Sequence, residues 1–401
     1  MIEIRPATPD EMPELRRMVS AALALDPTSI SDLAPEMSLC VFDDDRLAAV
    51  HGSWPLTMRF NGKAVPISGV TTVATPPADR GKGHLRRLIT QHFKELHEQQ
   101  ERPIAVLYAS QAEIYQRFGY AIVSTHHRYR VEPRFLEFVE PLQIPGTVRE
   151  VDQERDFSLI VDLYRAYREE RTGLLHRGQP MWRAGVFSPV KSPEDAKQVV
   201  VYEEDGEPLG YCVYTTGNDP ERQPPEPGQR LVINDLAALT PRAYQAFWRH
   251  LSGFRLARFI DWPQAPDDDP LPHLLQEPRM LRDTARDGIL ARIVDLPAAI
   301  DARGYTSAAS LRVDLIDELC PWNAGTWSID LSPEGTRVKQ LAAGEPDLSM
   351  TINTFAMLLF GQLTATRAAR AGRIGVHDPE ALERWDSVLA TRYAPFCADN
   401  F

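Results

Sequence analysis

A short run of glycine and basic residues, Arg80 to Leu85, carries the first sign of chemistry in this chain. The β-branched residues before it predict a strand over 70–75, which ends at Pro76-Pro77, and a helical apolar pattern begins at Leu85. A strand, a glycine-rich loop and a helix start together place free backbone N–H groups and the positive end of a helix dipole against an anion. The expected ligand is a phosphate or pyrophosphate, close to four basic side chains: Arg80, Lys82, Arg86 and Arg87.

The spacing of the loop narrows the kind of phosphate ligand. A nucleotide-triphosphate loop requires Gly-x4-Gly-Lys-Ser/Thr and a dinucleotide fold requires Gly-x-Gly-x-x-Gly, and residues 80–85 match neither pattern. They resemble instead the Arg/Gln-x-x-Gly-x-Gly/Ala segment of the GNAT N-acetyltransferases, which holds the pyrophosphate of acetyl-CoA. Leu85 stands where that pattern has Gly or Ala. A solvated basic turn is the alternative interpretation.

Tyr115 is the second candidate for chemistry. The sequence predicts a buried strand over 103–109 and a short helix over 110–118 that ends at Gly119. Residues 114–120 resemble the Tyr-x-x-x-Gly-Phe/Tyr element of the same superfamily, in which the tyrosine protonates the departing thiolate. A phenol suits this task because it is neutral at pH 7 and can donate a proton. The alternative is an ordinary half-buried helix tyrosine.

Along essentially its whole length the chain resembles the Eis (enhanced intracellular survival) family of acetyltransferases. The resemblance rests on residues 75–87 and 109–120, on Asp-Pro-Leu-Pro-His-Leu-Leu at 269–275, on residues 287–293, 296–299 and 302–305, and on a chain that ends in Phe401. A Leu at position 85 is normal in that family. The resemblance implies that acetyl-CoA is the acetyl donor, that Tyr115 is the general acid and that the α-carboxylate of Phe401 is the base. It also implies a homo-oligomer, specifically a hexamer.

The same resemblance divides the cofactor-binding residues into two groups. Backbone groups of a splayed strand hold the pantetheine arm, and the loop holds the pyrophosphate. The residues are Val73, Ala74 and Thr75 for the arm, and Arg80, Gly81, Lys82, Gly83, His84 and Leu85 for the loop. His84 lies where the helix dipole lowers the pKa of an imidazole, so it is expected to face solvent or the cofactor rather than to act as a base.

An amine pocket has four further candidates. Asp26, Trp54 and Glu113 are acidic or aromatic, and each is also explicable as a surface or core residue. Asn400 stands where relatives can carry an acidic residue before the final Phe, which puts affinity for polycations in question.

An internal repeat organises the first two thirds of the chain. A strand–turn–strand segment at 38–51 has a counterpart at 199–214, and the strand and helix at 70–97 have one at 231–251. In the second copy Thr240 is a helix cap and Pro241 the first helical residue, with no glycine-rich loop before them. We therefore predict an acetyltransferase domain that binds acetyl-CoA over 1–146 and a degenerate GNAT-like domain without the cofactor loop over 147–291.

Residues 292–401 are predicted to form a third domain. Its order resembles a sterol-carrier-protein-like α+β domain: a helix at 297–303, strands at 310–315, 325–331, 336–341 and 347–352, and helices at 354–370 and 379–390. Four apolar residues of the first long helix either line a lipid tunnel or form its core face. These are Phe355, Met357, Leu358 and Phe360. The predicted fold class is thus α/β (α+β), with two tandem GNAT-like mixed-sheet domains followed by this third domain.

Composition limits the partners. A net charge of −12 disfavours nucleic acids and anionic membranes, and it attracts aminoglycosides, polyamines or lysine-rich peptides. The four cysteines form no CxxC pair and are expected to be free thiols in a reducing cytoplasm. The sequence shows no signal peptide, no apolar run long enough to span a bilayer and no metal-ligand spacing, so neither a membrane nor a metal is expected.

The predicted function is acetyl-CoA-dependent N-acetyl transfer to a primary amine of a cationic acceptor. Two alternatives remain open at this point. One is a lipid or sterol carrier with vestigial acetyltransferase domains, and the other is a regulatory acyl-CoA-binding or scaffold protein.

Overall fold

The computed structural model describes residues 1–24, 33–190, 192, 194, 196–223 and 228–401. These residues divide into two compact units. The first consists of Met1–Val123, Ile289–Thr391 and Phe401, and the second of Ser124–Gly288 and Arg392–Asn400. Neither unit is therefore a single stretch of sequence.

The N-terminal part of the first unit is built on antiparallel hairpins. Its elements in chain order are β1 (Ile2–Arg5), α1 (Met12–Leu23), β2 (Ser38–Asp43), β3 (Arg46–Phe60), β4 (Lys63–Ala74), α2 (His84–Gln99), β5 (Ile104–Tyr108), α3 (Ala112–Gln116) and β6 (Ala121–Ile122). The turns Asp44-Asp45 and Asn61-Gly62 have positive φ at both residues, as tight hairpin turns with the right twist require. The hairpin predicted at 38–51 is confirmed, since β2 and β3 pair antiparallel.

The second unit repeats this pattern. Its elements are β7 (Thr125–Val131), β8 (Thr147–Glu150), α4 (Phe157–Arg168), α5 (Gln179–Ala184), β9 (Gln198–Glu204), β10 (Glu207–Asn218), β11 (Gln229–Ala238), α6 (Pro241–Ser252), β12 (Ala257–Pro266), α7 (Leu271–Leu274) and β13 (Thr284–Asp287). They form one sheet in the order β13-β7-β12-β11-β10-β9-β8. The hydroxyl of Thr240 accepts a hydrogen bond from the Ala243 amide, and Pro241 begins α6, which confirms the predicted helix start.

The chain then returns to the first unit. The elements there are β14 (Ile289–Ile293), α8 (Leu296–Asp301), β15 (Ala309–Ile316), β16 (Gly325–Ser332), β17 (Gly335–Gln340), β18 (Leu348–Thr351), α9 (Ile352–Phe360), α10 (Ala365–Arg370), β19 (Ile374–Val376) and α11 (Ala381–Val388). Strands β15–β19 form a sheet in the order β17-β16-β15-β18-β19.

Strand β14 joins the N-terminal sheet of the first unit rather than the sheet that precedes it in sequence. The order of that sheet is β1-β2-β3-β4-β5-β14-β6. Leu290 of β14 lies opposite Leu107 of β5 on one side and Ile122 of β6 on the other, both antiparallel. Strand β7, which falls within the predicted first domain, belongs to the sheet of the second unit. The domain limits at 146 and 291 remain predictions. Each of these two sheets contains strands from both sides of the limit at 146, and β14 extends across the limit at 291.

The third predicted domain differs from expectation at its first long helix. The single helix predicted over 354–370 is wrong, because α9 ends at Gly361 and α10 begins after Thr364. Gly361 has φ of 84° and terminates α9, and the Thr364 hydroxyl accepts the Arg367 amide hydrogen bond as a cap. Strand β19 was not predicted, and the last helix is shorter than the expected 379–390.

The apolar residues of α9 form a packed core. Phe355, Leu358 and Phe360 are buried, whereas Met357 is half-buried. The cavity that Phe355 lines together with Leu311 and Trp385 has a volume of about 10 Å³. This is about the space of one water molecule, so this cavity does not accommodate a lipid.

Candidate active site

Strands β4 and β5 separate at one end of the first unit's sheet. They pair in parallel at Ile67, Ser68 and Gly69, with Gly69 opposite Val106. Strand β4 then continues to Ala74 and β5 to Tyr108 with no further pairing between them in the described part of the chain. The gap exposes backbone groups that an extended ligand can bind.

A bulge lies in the separated part of β4. The register with β3 shifts between Val50 and Gly52, which are opposite Ala74 and Thr71. Two residues of β4, Thr72 and Val73, therefore oppose a single residue of β3. Thr72 has φ of 49°, a conformation that is strained for a β-branched residue, and strain of this kind clusters at functional sites. The bulge leaves backbone groups of β4 outside the ladder at the point where the strands part.

The loop after β4 offers an anion cradle. Gly81 and Gly83 have φ of 79° and 80°, and a Cβ atom at either would meet open space. Gly83 is the N-cap of α2 and contributes no side chain to accept the amide hydrogens of the first turn. The first amides of a helix have no intrahelical partner and carry partial positive charge. This loop can therefore bind a phosphate through its backbone.

Three charged side chains beside the loop are paired with one another: Arg46, Asp79 and Lys82. The buried carboxylate of Asp79 accepts hydrogen bonds from Arg46 at 2.7 Å and from Lys82 at 2.8 Å, and these contacts lower its pKa. The Lys82 ammonium is thus engaged with Asp79, while its carbonyl accepts a hydrogen bond from the Arg87 guanidinium at 3.1 Å. Arg80 donates to the Thr75 carbonyl at 3.3 Å. These contacts fix the shape of the loop.

Tyr115 lies on α3, which is shorter than the predicted helix over 110–118. Its ring meets the ring of Tyr120 edge-on, with centroids 5.8 Å apart, and it packs against an apolar cluster that includes Phe93 and Phe118. Burial raises the pKa of Tyr115 to about 12. The phenol is therefore protonated at neutral pH and available as a proton donor.

The ring of Phe401 lies at the separation of the two strands. Its centroid is 6.0 Å from that of Tyr108, the last residue of β5. A Cβ atom on Gly69, the last residue of β4 that pairs with β5, would lie 3.1 Å from Cδ2 of Phe401. Phe401 is thus anchored by its ring beside the gap between β4 and β5.

Comparisons with family models agree with this arrangement. A GNAT acetyltransferase domain model matches residues 3–123, a second GNAT acetyltransferase domain model matches 173–293, and a sterol carrier protein domain model matches 296–398. An uncharacterised N-acetyltransferase of Streptomyces avermitilis is 28% identical over 91% of this chain and 90% of its own. The N-acetyltransferase Eis of Mycobacterium tuberculosis is 28% identical over 84% of this chain and 81% of its own.

Solved structures give the same result over the whole chain. The crystal structure of Eis1 from Mycobacterium abscessus matches with a TM-score of 0.84 and 28% identity, covering 100% of both chains. The chain belongs to the Eis-type GNAT N-acetyltransferases. A GCN5-related N-acetyltransferase from Anabaena variabilis, at 21% identity and a TM-score of 0.87 over 100% of both chains, has the same fold. Two GNAT domains followed by a sterol-carrier-like domain, as predicted, make up this acetyltransferase.

Acetyl-CoA is the acetyl donor of this acetyltransferase family, and the residues of the cradle fit it. Side chains at positions 81 and 83 would project into the open space in front of the helix start, and both positions are glycine. The pyrophosphate of a CoA thioester is the kind of anion that such a helix N-terminus binds. The junction between β11 and α6 in the second unit has no glycine, as the sequence predicted for the degenerate copy.

Of the two surroundings expected for His84, solvent is wrong, and the cofactor stays a prediction. His84 is the first residue of α2 and is buried, rather than facing solvent, and neither ring nitrogen has a partner among the described residues. Burial and the nearby Arg87 lower its pKa, so the imidazole is neutral at pH 7. The pKa of His84 is lowered, as predicted from its position at the helix start, but the largest cause is burial. His51, opposite the bulge, is also buried, with its pKa lowered to about 4.

The candidates for an amine pocket are not brought together by the described structure. Asp26 lies outside the described residues. Trp54 packs with the apolar cluster of α1, β2 and β3, which is a core role. Glu113 is exposed on α3, two residues from Tyr115, and Asn400 is exposed in the second unit.

The described part of the enzyme contains neither a metal-binding cluster nor a helix that could span a membrane. No group of three or more His, Cys, Asp or Glu side chains there is arranged to hold a metal ion. His127 of β7 contacts the carboxylates of Asp283 and Asp267 at 2.7 and 3.0 Å. Among the helices described, none has the length and apolar character that crossing a membrane requires.

Sequence reasoning missed two features of the site. The strained bulge at Thr72 has no signal in the sequence, because neighbouring β-branched residues predict regular strand. Asn353 was also missed: its amide nitrogen donates to the carbonyls of Gln116 and Tyr120, which are more than 230 positions away in the chain. No local pattern could connect Asn353 to the turn that follows Tyr115.

Proposed function

We propose that this enzyme transfers the acetyl group of acetyl-CoA to a primary amine of a cationic acceptor: an aminoglycoside, a polyamine or a lysine side chain. Tyr115 is the general acid, and the α-carboxylate of Phe401 is the base. The observation that carries the proposal is the position of the Phe401 ring, beside Gly69 and Tyr108 where β4 and β5 part.

The loop and the bulged strand hold the donor. Gly81, Lys82, Gly83, His84 and Leu85 present backbone N–H groups to the pyrophosphate, and the Arg80 side chain adds positive charge next to them. Val73, Ala74 and Thr75 hold the pantetheine arm through their backbone, because the gap and the bulge leave β4 unpaired toward β5 there.

Tyr115 protonates the departing thiolate. When bound, acetyl-CoA supplies an activated thioester. As the bond from nitrogen to the acetyl carbon forms and the carbon–sulfur bond breaks, the Tyr115 phenol donates its proton to the sulfur. Its raised pKa keeps the proton in place until that moment. The apolar cluster packs against part of the Tyr115 ring, which is half-buried.

Phe401 supplies the base. The amine must be neutral when it attacks, and the proton that it loses passes to the terminal carboxylate. The ring anchors the last residue, in contrast to most chain ends, which are poorly ordered. Any residue at 401 would have the α-carboxylate, but an aromatic side chain fixes its location.

The acceptor class follows from charge. The net charge of −12 favours encounter with cations, and Glu113 and Asn400 are exposed polar groups available to an amine. Asn400 lacks the charge of an acidic residue, so we expect weaker binding of polycations than an acidic residue would give. Asp26 and Trp54 remain candidates for contact with the amine.

The decisive experiment for this function measures release of the free thiol of CoA from acetyl-CoA in the presence of an amine panel. The panel contains an aminoglycoside, spermidine, a lysine-rich peptide and a neutral alcohol of similar size. Amine-dependent thiol release, with an acetylated amine as product, is the expected result. Thiol release that is independent of the amine contradicts the proposal.

Assembly and location follow the family. We propose a homo-hexamer in the cytoplasm, and the four buried free cysteines are compatible with a reducing compartment. Sedimentation equilibrium of the purified protein tests the hexamer directly.

A further inference from the structure

The helix that carries Tyr115 is too short to fix its own position. Helix α3 spans Ala112–Gln116, and helices of this length are not stable without tertiary contacts. Its last turn is followed by Gly119, with φ of 87°, and then by Tyr120. The Tyr115 carbonyl accepts the Phe118 amide at 2.9 Å. The placement of Tyr115 therefore depends on what holds the turn from Gln116 to Tyr120.

One side of this turn is held by the amide group of Asn353. The Asn353 side chain donates to the Gln116 carbonyl at 2.8 Å and to the Tyr120 carbonyl at 2.6 Å. Both carbonyls belong to the turn, so one amide group closes it across its two ends. Asn353 lies on α9, in the segment that the sterol carrier protein model matches.

The other side of the turn is held by a buried guanidinium. A Cβ atom on Gly119 would lie 2.7 Å from Nε of Arg292, so the guanidinium packs directly on the glycine. Arg292 is fully buried and donates to both carboxylate oxygens of Asp317 at 2.7 Å. Arg292 thus fixes the side of the turn at Gly119. The opposite side is held by the amide of Asn353, so we expect the rigidity of the turn to depend on this amide.

The start of α9 is itself well fixed. The Thr351 hydroxyl accepts the Thr354 amide as a helix cap, and the Thr354 hydroxyl accepts a hydrogen bond from Arg373 at 3.2 Å. Asn353 is thus presented from a rigid helix end, as a positioning group must be.

We propose that Asn353 is a positioning residue for acetyl transfer, which holds Tyr115 at the reaction centre by fixing the turn after it. The inference rests on the proposed role of Tyr115 as general acid. It assigns the sterol-carrier-like domain a task in catalysis that needs no lipid ligand.

The test is a double-mutant cycle on the full-length enzyme, with spermidine or whichever panel amine supports turnover. Asn353→Ala is expected to lower kcat by about tenfold to a hundredfold, the scale for slight misplacement of a reacting group, with the KM for acetyl-CoA within twofold. In the Tyr115→Phe background the same substitution is expected to change kcat less than twofold, because the group that it positions is gone. Asn353→Asp, which turns an oxygen toward two carbonyls, is expected to be worse than Ala.

A control and a second readout separate positioning from stability. Thr364→Ala also removes side-chain hydrogen bonding in the same domain, in this case the cap of α10. It is expected to lower the melting temperature without lowering kcat. Amide hydrogen exchange over residues 112–122 is expected to accelerate in Asn353→Ala but not in Thr364→Ala.

Two outcomes overturn the proposal: an unchanged kcat in Asn353→Ala, or an equal loss of kcat in the wild-type and Tyr115→Phe backgrounds. If the Asn353→Asp variant fails to fold, the double-mutant cycle with Asn353→Ala tests the proposal by itself. Near-normal turnover of Tyr115→Phe by itself refutes the proposed role of Tyr115 instead, and acceleration of exchange in Asn353→Ala then still reports whether Asn353 holds the turn.

Discussion

The ring of Phe401 lies against the backbone of Gly69, and a side chain at position 69 would crowd the ring. An added Cβ atom would come within 3.1 Å of Phe401 Cδ2 and closer still to Leu56. Glycine at this position therefore lets the end of the chain approach β4 at its last pair with β5.

Gly69→Ala is expected to lower turnover by about tenfold, because the Phe401 ring must shift away from the gap and take its carboxylate with it. Steady-state kinetics with the best amine of the panel measures the loss. Gly335→Ala on β17 is the matched control, since a Cβ atom there meets open space. Equal turnover in both variants would show that the position of the Phe401 ring does not matter.

Gly83→Asp is expected to weaken acetyl-CoA binding by at least about tenfold, or roughly 1.4 kcal/mol, because it puts negative charge in the anion cradle. Isothermal titration calorimetry gives the dissociation constant. Gly62→Asp serves as the control: Gly62 also has a positive φ and open space around its Cβ position, but it lies in the turn between β3 and β4. If both variants bind acetyl-CoA as the wild type does, the loop at 80–85 is not the cofactor site.

Tyr115→Phe is expected to lower kcat by about 10²–10⁴-fold with little change in the KM for acetyl-CoA, because only the proton donor is lost. Tyr120→Phe removes the same group from the neighbouring ring. The Tyr120 hydroxyl is buried without a hydrogen-bond partner among the described residues, so its loss is expected to leave turnover nearly unchanged. A similar loss in both variants would indicate a packing effect rather than acid catalysis.

Local signals in the sequence predicted the parts of the fold that neighbouring residues determine. Thr240 and Pro241 gave the start of α6, and turn residues such as Asp205-Gly206 gave the hairpin of the second copy. The glycines at 81 and 83 indicated the anion cradle for the same reason, since their backbone conformation suits no other residue as well.

Features that depend on distant partners could not be predicted in this way. The insertion of β14 between β5 and β6 joins residues about 170 to 190 positions apart, and an apolar strand is compatible with many neighbours. The spacing of Asp79 and Lys82 is compatible with their pairing, but the basic residues of the loop are equally compatible with phosphate binding, so the sequence does not decide between the two. Gly361 is a helix-ending residue that the sequence does contain, but the apolar run before it favoured a longer helix.

A pH-dependent stability is expected in the second unit. Burial raises the pKa of Asp269 to about 7, although the Tyr244 hydroxyl donates to the carboxylate at 2.7 Å. An unfolded aspartate has a pKa of about 3.9, so between about pH 4 and 7 the folded state binds a proton that the unfolded state lacks. The free energy of unfolding therefore falls as the pH rises through this window, by about 1 kcal/mol per pH unit.

Asp269→Asn removes this titration. Chemical denaturation from pH 4 to 8 is expected to show the variant gaining stability relative to the wild type as the pH rises. A difference between the two proteins that stays constant over this range would mean that Asp269 does not titrate there.

The most direct test of the account moves the terminal carboxylate and leaves the Phe401 ring in place. One glycine added after Phe401 displaces the carboxylate, whereas Gly335→Ala leaves residues 400 and 401 unchanged and serves as the control, because a Cβ atom at 335 meets open space. Amine-dependent thiol release is measured for both, at matched melting temperature and saturating acetyl-CoA. We predict that the added glycine lowers kcat by about a hundredfold or more, while Gly335→Ala stays close to the wild type. Equal turnover with and without the added residue would contradict the assignment of the Phe401 carboxylate as the base.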